Sequence, residues 1–262
     1  MLGLKVCANI SFMFKEWPNF IDRYKAASVA GFKAVESAEE IFQYSVEEIT
    51  KAKLEANLQQ IVVVGYGGAR GGLAAIPGKE AEFRQSFAKS LEYALALKCG
   101  RIHVCSGVMK SIDDVPYSSY EETYVKNLRY CSQEAGKARI KILIEPITTI
   151  PGYFLTSATQ AIEICKKLNC DNVEMEFDFF HVQRTHGNLT RTLNEILKYI
   201  GHIQVSQVPN RGEPSTSGEI NYQYIFQLLK DLGYNQWIGC EYHPQGKTTD
   251  GLNWIEDYGL EF

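Results

Sequence analysis

KILIEPI, residues 141–147, is a short and almost entirely apolar run that ends in a carboxylate followed by a proline. A run of this length, rich in β-branched residues, is typical of a strand buried on both faces, as in a parallel sheet. Successive side chains of a strand point to opposite faces, so Ile142 and Ile144 share one face and Glu145 points to the other. The stretch therefore predicts a buried parallel strand that delivers one acid to the inner side of the fold.

The same strand pattern recurs along the whole chain. Further strands are predicted at residues 6–12, 34–37, 60–66, 101–106, 172–180, 202–208 and 237–242. Helical spacing fills the intervals at 20–30, 46–56, 80–97, 122–138, 159–168, 190–200 and 222–232, with a short last helix at 252–258. Gly31, Gly100, Gly201 and Gly233 fall where helices should end. Strand and helix alternate eight times, which favours a closed parallel (β/α)8 TIM barrel over an open sheet.

Composition agrees with a single barrel domain over residues 1–262. Of the 262 residues, 45% are apolar and 22% charged, and no linker or low-complexity stretch divides them. The net charge of −4, without basic runs, argues against nucleic acid as a partner. No apolar run approaches the roughly 20 residues that a membrane span needs. Seven cysteines, an odd number without CxxC spacing, and the absence of a signal-peptide pattern predict a cytoplasmic protein with buried thiols.

Oxygen-bearing side chains end four consecutive predicted strands. In a (β/α)8 barrel the catalytic groups lie at the carboxyl ends of the strands. These ends carry Glu145, Asp178, Gln204 and Glu241. Three acids pointing into one barrel repel one another unless a cation lies between them. Oxygen donors suit Mg²⁺ or Mn²⁺ better than Zn²⁺, so the sequence predicts a divalent metal site and no organic cofactor.

The sixth predicted strand carries further acids on the same face as Asp178. Glu174, Glu176 and Asp178 alternate with apolar residues, and the alternation favours a strand over a water-exposed segment. Glu174 is expected in solvent at the amino end of the barrel. Glu176, deeper in the strand, is expected either to pair with Lys141 or to be protonated, because an unpaired buried charge is costly.

Two loops offer cationic groups. Arg211 lies in the Arg-Gly-Glu-Pro turn after the seventh strand, where its fork would suit a carboxylate; the alternative is a solvated loop residue. The glycine-rich segment at 65–78 matches no phosphate-binding motif and is long enough for a lid with glycine hinges. Its Arg70 either reaches a substrate or only holds the loop.

The chain resembles the hydroxypyruvate isomerase family, within the xylose isomerase-like barrels that also include ketose 3-epimerases. The resemblance covers nearly the whole chain, and its most specific part is the ordered set RGEP, GEINY and GCEY. The matching segments are CANISFMF (7–14), GARGGLAAIPG (68–78), KNLRYCSQ (126–133), LIEPI (143–147), FDFFHVQR (177–184), GHIQVSQVPNRGEP (201–214), GEINYQYIFQLL (218–229) and GCEYHPQG (239–246).

The resemblance implies roles for the residues at the strand ends. It implies a divalent metal held by Glu145, Asp178, Gln204 and Glu241, with Glu145 and Glu241 as the proton-transfer pair. It also implies that His181 and Arg211 contact a small hydroxy- or oxo-acid substrate. The implied reaction interconverts hydroxypyruvate and tartronate semialdehyde (2-hydroxy-3-oxopropanoate) by metal-assisted proton transfer through an enediolate.

Other functions remain open at this point. The same site would serve a ketose 3-epimerase or an isomerase of a longer oxo acid, although epimerase relatives typically have His where Gln204 stands. A repair nuclease would need several His ligands for clustered Zn²⁺, and the chain has only five His. A metal-stabilised binding protein without turnover should have lost one of the acids, and none is missing. The sequence leaves open the metal, the substrate and the oligomeric state, for which a homo-oligomer is one option.

Overall fold

The computed structural model describes residues 1–68, 71–109 and 115–262. Eight parallel strands close into one barrel in chain order, which confirms the predicted (β/α)8 TIM barrel. The strands are β1 (Lys5–Asn9), β2 (Ala34–Ser37), β3 (Gln59–Val64), β4 (Arg101–His103), β5 (Lys141–Ile144), β6 (Val173–Asp178), β7 (Ile200–Val205) and β8 (Trp237–Cys240).

Helices surround the barrel and connect its strands. The α-helices are α1 (Asp22–Val29), α2 (Val46–Glu55), α3 (Glu80–Ala96), α4 (Tyr117–Gly136), α5 (Ala158–Leu168), α6 (Phe179–Thr185), α7 (Leu189–Ile196), α8 (Tyr222–Asp231) and α9 (Trp254–Asp257). Short 3-10 helices lie at Glu39–Gln43, Leu197–Tyr199 and Thr248–Gly251. No helix within the described ranges is both long and apolar enough to cross a membrane.

Burial on β5 follows the alternation expected from the sequence. Ile142 and Ile144 join the large apolar cluster that unites the strands with the outer helices. Leu143 belongs instead to a separate small cluster with Cys7, Ala34, Ile61 and Val62. Because Glu145 lies two residues after Leu143, it continues the face opposite to Ile142 and Ile144.

The register of the strands sets the candidate site residues side by side. Asp178 on β6 lies opposite Gln204 on β7, and Gln204 lies opposite Gly239 on β8. Neighbouring strands are about 4.8 Å apart. The polar residues at these strand ends therefore meet at one level of the barrel.

The sixth strand is shorter than the prediction of 172–180. It ends at Asp178, and α6 begins at Phe179 without a connecting loop. The Asp178 carboxylate accepts a hydrogen bond from the backbone N–H of Phe180 at 2.8 Å and so caps this helix. An unpredicted helix thus carries His181 back over the barrel.

Two of the four predicted helix-ending glycines are confirmed. Gly31 and Gly233 have φ of 108° and 77°, which a residue with a Cβ rarely adopts. The predictions for Gly100 and Gly201 are wrong. Lys98, with φ of 52°, makes the left-handed turn after α3, and Gly201 lies inside β7. A glycine in a strand commonly marks a close approach.

Gly201→Ala is expected to lower the free energy of unfolding by about 1–3 kcal/mol, the usual cost of overpacking. A Cβ at this position would lie 2.3 Å from Glu174 Oε2 and 2.8 Å from Leu143 Cδ2. Gly100→Ala is the matched control, since no atom lies within 4 Å of its added Cβ. Urea denaturation of both variants checks this; equal stabilities would contradict the packing role of Gly201.

Candidate metal centre and active site

A cavity of about 760 Å³ lies over the carboxyl ends of the strands. Five of the predicted site residues line it: Glu145, His181, Gln204, Arg211 and Glu241. Asp178 is buried at the same level and contacts Arg211. The predicted residue Arg70 lies outside the described residues. The structure therefore brings together six of the seven predicted side chains.

Arg211 is held between acids and aromatic rings. Its Nη2 lies 3.0 Å from Asp178 Oδ2 and 3.1 Å from Glu241 Oε1. Its guanidinium carbon lies 4.8 Å from the ring centre of Phe12 and 5.0 Å from that of Phe180. The alternative of a solvated loop residue is therefore wrong. Arg211 Nε is buried and has no hydrogen-bond partner, so one donor of the fork is unused.

His181 is a neutral donor directed at the acids. Its Nδ1 accepts a hydrogen bond from the backbone N–H of Thr148 at 3.1 Å, which leaves the ring proton on Nε2. Nε2 lies 3.6 Å from Glu145 Oε1 and 3.6 Å from Asp178 Oδ2. Burial lowers the pKa of His181 well below its ordinary value, so the ring stays uncharged near neutral pH.

Glu176 lies one layer below the site and contacts His103. His103 Nδ1 is 3.3 Å from Glu176 Oε2 and 3.5 Å from Glu145 Oε2. Burial lowers the pKa of His103 to about 4 and raises the pKa of Glu176 well above its usual range. The direction of these two pKa shifts agrees with the expectation that Glu176 is protonated. The predicted pairing of Lys141 with Glu176 is wrong, because Lys141 contacts Glu174 at 2.7 Å.

Two polar residues near the site, His103 and Glu36, do not follow from the sequence pattern. His103 ends β4, next to the strand that precedes Glu145. Glu36 lies in β2, is 1% exposed, and accepts a hydrogen bond from the Gln204 amide at 2.7 Å. In the sequence, each of them could have been noticed as a polar residue within a short strand that is otherwise expected to be buried.

Three oxygens of the site are buried without a hydrogen-bond partner: Glu145 Oε1, Gln204 Oε1 and Glu241 Oε2. An unpaired buried acceptor is costly, so such atoms need a partner from outside the protein. Donor atoms of Glu145, Asp178 and His181 also lie within 4.8 Å of one another. Three carboxylates and an amide oxygen are the donor set of a hard divalent cation, and a metal site of this kind fits the residues present.

Burial also disfavours the charged forms of these acids. Burial raises the pKa of Asp178 to about 6, and that of Glu241 to about 8. Burial, and next the charge of Glu241, raises the pKa of Glu145 well above its usual range. In the metal-free protein the site therefore holds protons near neutral pH, and a cation must displace them to bind.

The comparison with known proteins identifies the family. The sequence model of the family described as xylose isomerase-like TIM barrel matches residues 24–258. The putative hydroxypyruvate isomerase of Danio rerio is 42% identical over 98% of this chain and 96% of that protein. The chain belongs to the hydroxypyruvate isomerase family. The hydroxypyruvate isomerase of Escherichia coli K12 is 38% identical over 97% of this chain and 99% of its own length.

The relatives of this chain are named after more than one substrate. The 2-oxo-tetronate isomerase of Cupriavidus necator is also 38% identical, over 97% of this chain and 98% of that protein. A crystal structure described as AP endonuclease, family 2, from Brucella melitensis superposes with a TM-score of 0.91 at 37% identity, covering 97% of this chain and 99% of that one. The family thus establishes a sugar or oxo-acid isomerase, and overall identity does not select the substrate.

The metal-free protein is expected to lose stability as the pH rises from about 5 to about 8. The folded-state pKa values of Asp178, about 6, and Glu241, about 8, lie above their ordinary values of 3.8 and 4.5. The folded state thus binds more protons than the unfolded state in this window, and its stability falls with rising pH. Excess Mn²⁺ replaces these protons, so its stabilisation should be larger at about pH 8 than at about pH 5. Thermal unfolding at both pH values, with and without Mn²⁺, checks this; equal stabilisation would contradict it.

Proposed function

We propose that the protein interconverts hydroxypyruvate and tartronate semialdehyde (2-hydroxy-3-oxopropanoate). One observation carries the proposal: the carboxyl groups of Glu145 and Glu241 line one cavity, and each has a buried oxygen without a protein partner. An aldose–ketose type isomerisation needs such a pair, because one carbon loses a proton and its neighbour gains one. The family membership of the chain supports the same reaction.

Glu145, Asp178, Gln204 and Glu241 would hold the divalent cation, with Mg²⁺ or Mn²⁺ suited to their oxygen atoms. When bound, the ion supplies positive charge that polarises the carbonyl and hydroxyl oxygens of the substrate. The four residues lie at or next to the ends of successive strands, and Glu145, Asp178 and Gln204 are buried in the barrel. Their positions are therefore set by the sheet and not by flexible loops.

The two glutamates would divide the proton transfer. One carboxylate takes a proton from the hydroxymethyl carbon, and the electron pair of that C–H bond forms the enediolate. The other carboxyl group gives a proton to the neighbouring carbon, and a proton moves between the two substrate oxygens. In the metal-free protein burial raises the pKa of Glu241 to about 8, and a bound cation would lower this pKa again because it favours the carboxylate.

Arg211 and His181 would bind and orient the substrate. The unused Nε–H of Arg211 and the Nε2–H of His181 are donors beside the same cavity. A guanidinium fork matches the two oxygens of the substrate carboxylate. Arg70, in the glycine-rich segment at 65–78, would be a further substrate contact.

An isomerase of a longer oxo acid is the second candidate. The cavity of about 760 Å³ is in the range that holds drug-sized ligands, far larger than a three-carbon acid. Beyond the site residues it is lined by further polar groups, among them Glu40 and Tyr66, which could bind additional hydroxyl groups. The relative named 2-oxo-tetronate isomerase supports this candidate as well.

A substrate panel tests the proposal. The protein, loaded with Mg²⁺ or Mn²⁺, is incubated in D₂O with hydroxypyruvate, 2-oxo-tetronate and a series of ketoses, and products are followed by NMR. The expected result is tartronate semialdehyde that carries solvent deuterium at the carbon that was the carbonyl. Faster turnover of 2-oxo-tetronate would select the second candidate, and turnover of ketoses alone would overturn both. The metal-free protein is the control and should show no turnover.

A further inference from the structure

Gln204 is held in one orientation. Its Nε2 donates a hydrogen bond to Glu36 Oε1 at 2.7 Å. Its Oε1 is buried without a partner, and the residue lines the cavity. An amide has two ends of nearly the same shape but opposite function, since only the oxygen can bind a cation. The direction of this amide therefore decides whether Gln204 can serve as a ligand.

Asn9 shows that Glu36 Oε1 is an acceptor. The backbone N–H of Ser11 donates to Asn9 Oδ1 at 3.1 Å, which fixes the direction of the Asn9 amide. Asn9 Nδ2 must then donate to Glu36 Oε1, at 3.0 Å. The same carboxylate oxygen faces Gln204, so only the N–H end of the Gln204 amide can lie against it.

Glu36 is itself fixed from several strands. Asn9 on β1 is its register partner, and His202 on β7 places Nε2 2.6 Å from its Oε2. Gly239 on β8 leaves the space through which the carboxylate reaches β7, because a Cβ there would lie 2.4 Å from Glu36 Oε2. Glu36 is 1% exposed, so water does not compete for these contacts.

We propose that Glu36 is a positioning residue that directs the carbonyl oxygen of Gln204 toward the cation of the metal centre. The inference rests on the proposed metal centre. Asp and Glu ligands need no such device, since both of their oxygens accept. An amide ligand does need it, because a flipped Gln204 would point its NH₂ group at the ion. Glu36 would act through Gln204, because it contacts the Gln204 amide and is not among the residues that line the cavity.

Glu36→Gln is expected to weaken Mn²⁺ binding by about 10–100-fold, the usual effect of removing a partner that orients a metal ligand. The new amide can present either end to Gln204, so the orientation is no longer fixed. Binding is measured by titration calorimetry and by Mn²⁺ electron paramagnetic resonance. Glu174→Gln is the matched control: it also removes one negative charge from the barrel, but Glu174 pairs with Lys141. This control should bind Mn²⁺ as the unmodified protein does.

A double-variant cycle separates orientation from electrostatic attraction. In a Gln204→Met background there is no amide to orient, so adding Glu36→Gln should change Mn²⁺ affinity by less than about threefold. An equal loss in both backgrounds would show that Glu36 acts only by its charge and would overturn the inference. If the unmodified protein binds no Mn²⁺, the proposed metal centre fails, and the role of Glu36 with it.

A second variant covers the case in which Glu36→Gln does not fold. Gly239→Ala displaces the same carboxylate without changing its charge, because the added Cβ would overlap it. It should weaken Mn²⁺ binding in the same direction. Unchanged affinity in a folded Gly239→Ala protein would contradict the positioning role.

Discussion

Glu145→Gln is expected to lower kcat for the isomerisation by about 10²–10⁴-fold, the usual contribution of a general acid–base group. The amide keeps an oxygen that can bind a cation but cannot accept a proton. Glu145 Oε1 is buried, lacks a protein partner and lies 3.6 Å from the donor Nε2 of His181. The variant should therefore remain folded, bind Mn²⁺ more weakly, and lose turnover even when it is saturated with Mn²⁺.

Solvent deuterium exchange assigns the two glutamates to their steps. The variant that lacks the proton acceptor should lose both product formation and exchange at the hydroxymethyl carbon. The variant that lacks the other group should lose product formation but retain exchange. Glu145→Gln and Glu241→Gln should therefore differ in NMR exchange assays, while Glu174→Gln keeps the kcat of the unmodified protein. Near-normal turnover of Glu145→Gln with metal bound would contradict the proposal.

Much of the barrel follows from patterns within single strands. The alternation in KILI separates Ile142 and Ile144 from the face that carries Glu145, and the structure places these residues accordingly. The boundary after Asp178 could not be predicted in the same way. The apolar run continues through Phe179 and Phe180, whereas a single hydrogen bond from the backbone N–H of Phe180 to the Asp178 carboxylate starts a helix there. Local capping overrides the hydrophobic pattern at this point.

The topology of the barrel explains why the site residues lie close together, but it does not predict which other residues they contact. Successive strand ends bring Glu145, Asp178, Gln204 and Glu241 together once the barrel closes. The contact of Gln204 with Glu36 joins residues 168 positions apart and crosses the barrel from β7 to β2. No spacing rule relates such positions, because the contact depends on the space that Gly239 leaves.

Part of the negative charge of the chain lies in the candidate site. Glu145, Asp178 and Glu241 are three of the 31 acids behind the net charge of −4, and Arg211 contacts two of them, Asp178 and Glu241. In the metal-free protein Arg211 supplies positive charge to two of them. A cation bound at the proposed site would compete with Arg211 for the same negative charge, which leads to a test of Arg211.

Arg211→Met is expected to change catalysis and metal binding in opposite directions. Losing the fork proposed to hold the substrate carboxylate should lower kcat/KM by about 10²–10³-fold, equivalent to about 3–4 kcal/mol for a buried charged contact. Removing a positive charge 3.0 Å from Asp178 and 3.1 Å from Glu241 should instead raise Mn²⁺ affinity, by about tenfold. Steady-state kinetics and titration calorimetry measure the two effects.

Arg211→Lys separates the charge of Arg211 from its shape. Lysine keeps the positive charge but lacks the planar fork, so Mn²⁺ affinity should stay near that of the unmodified protein while kcat/KM falls. The backbone φ of 53° at this position is equally demanding for Arg, Lys and Met, so the comparison is free of a backbone difference. If Arg211 served only to neutralise Asp178 and Glu241, Arg211→Lys would keep its activity. Retained kcat/KM in Arg211→Lys would therefore assign the substrate carboxylate to another residue.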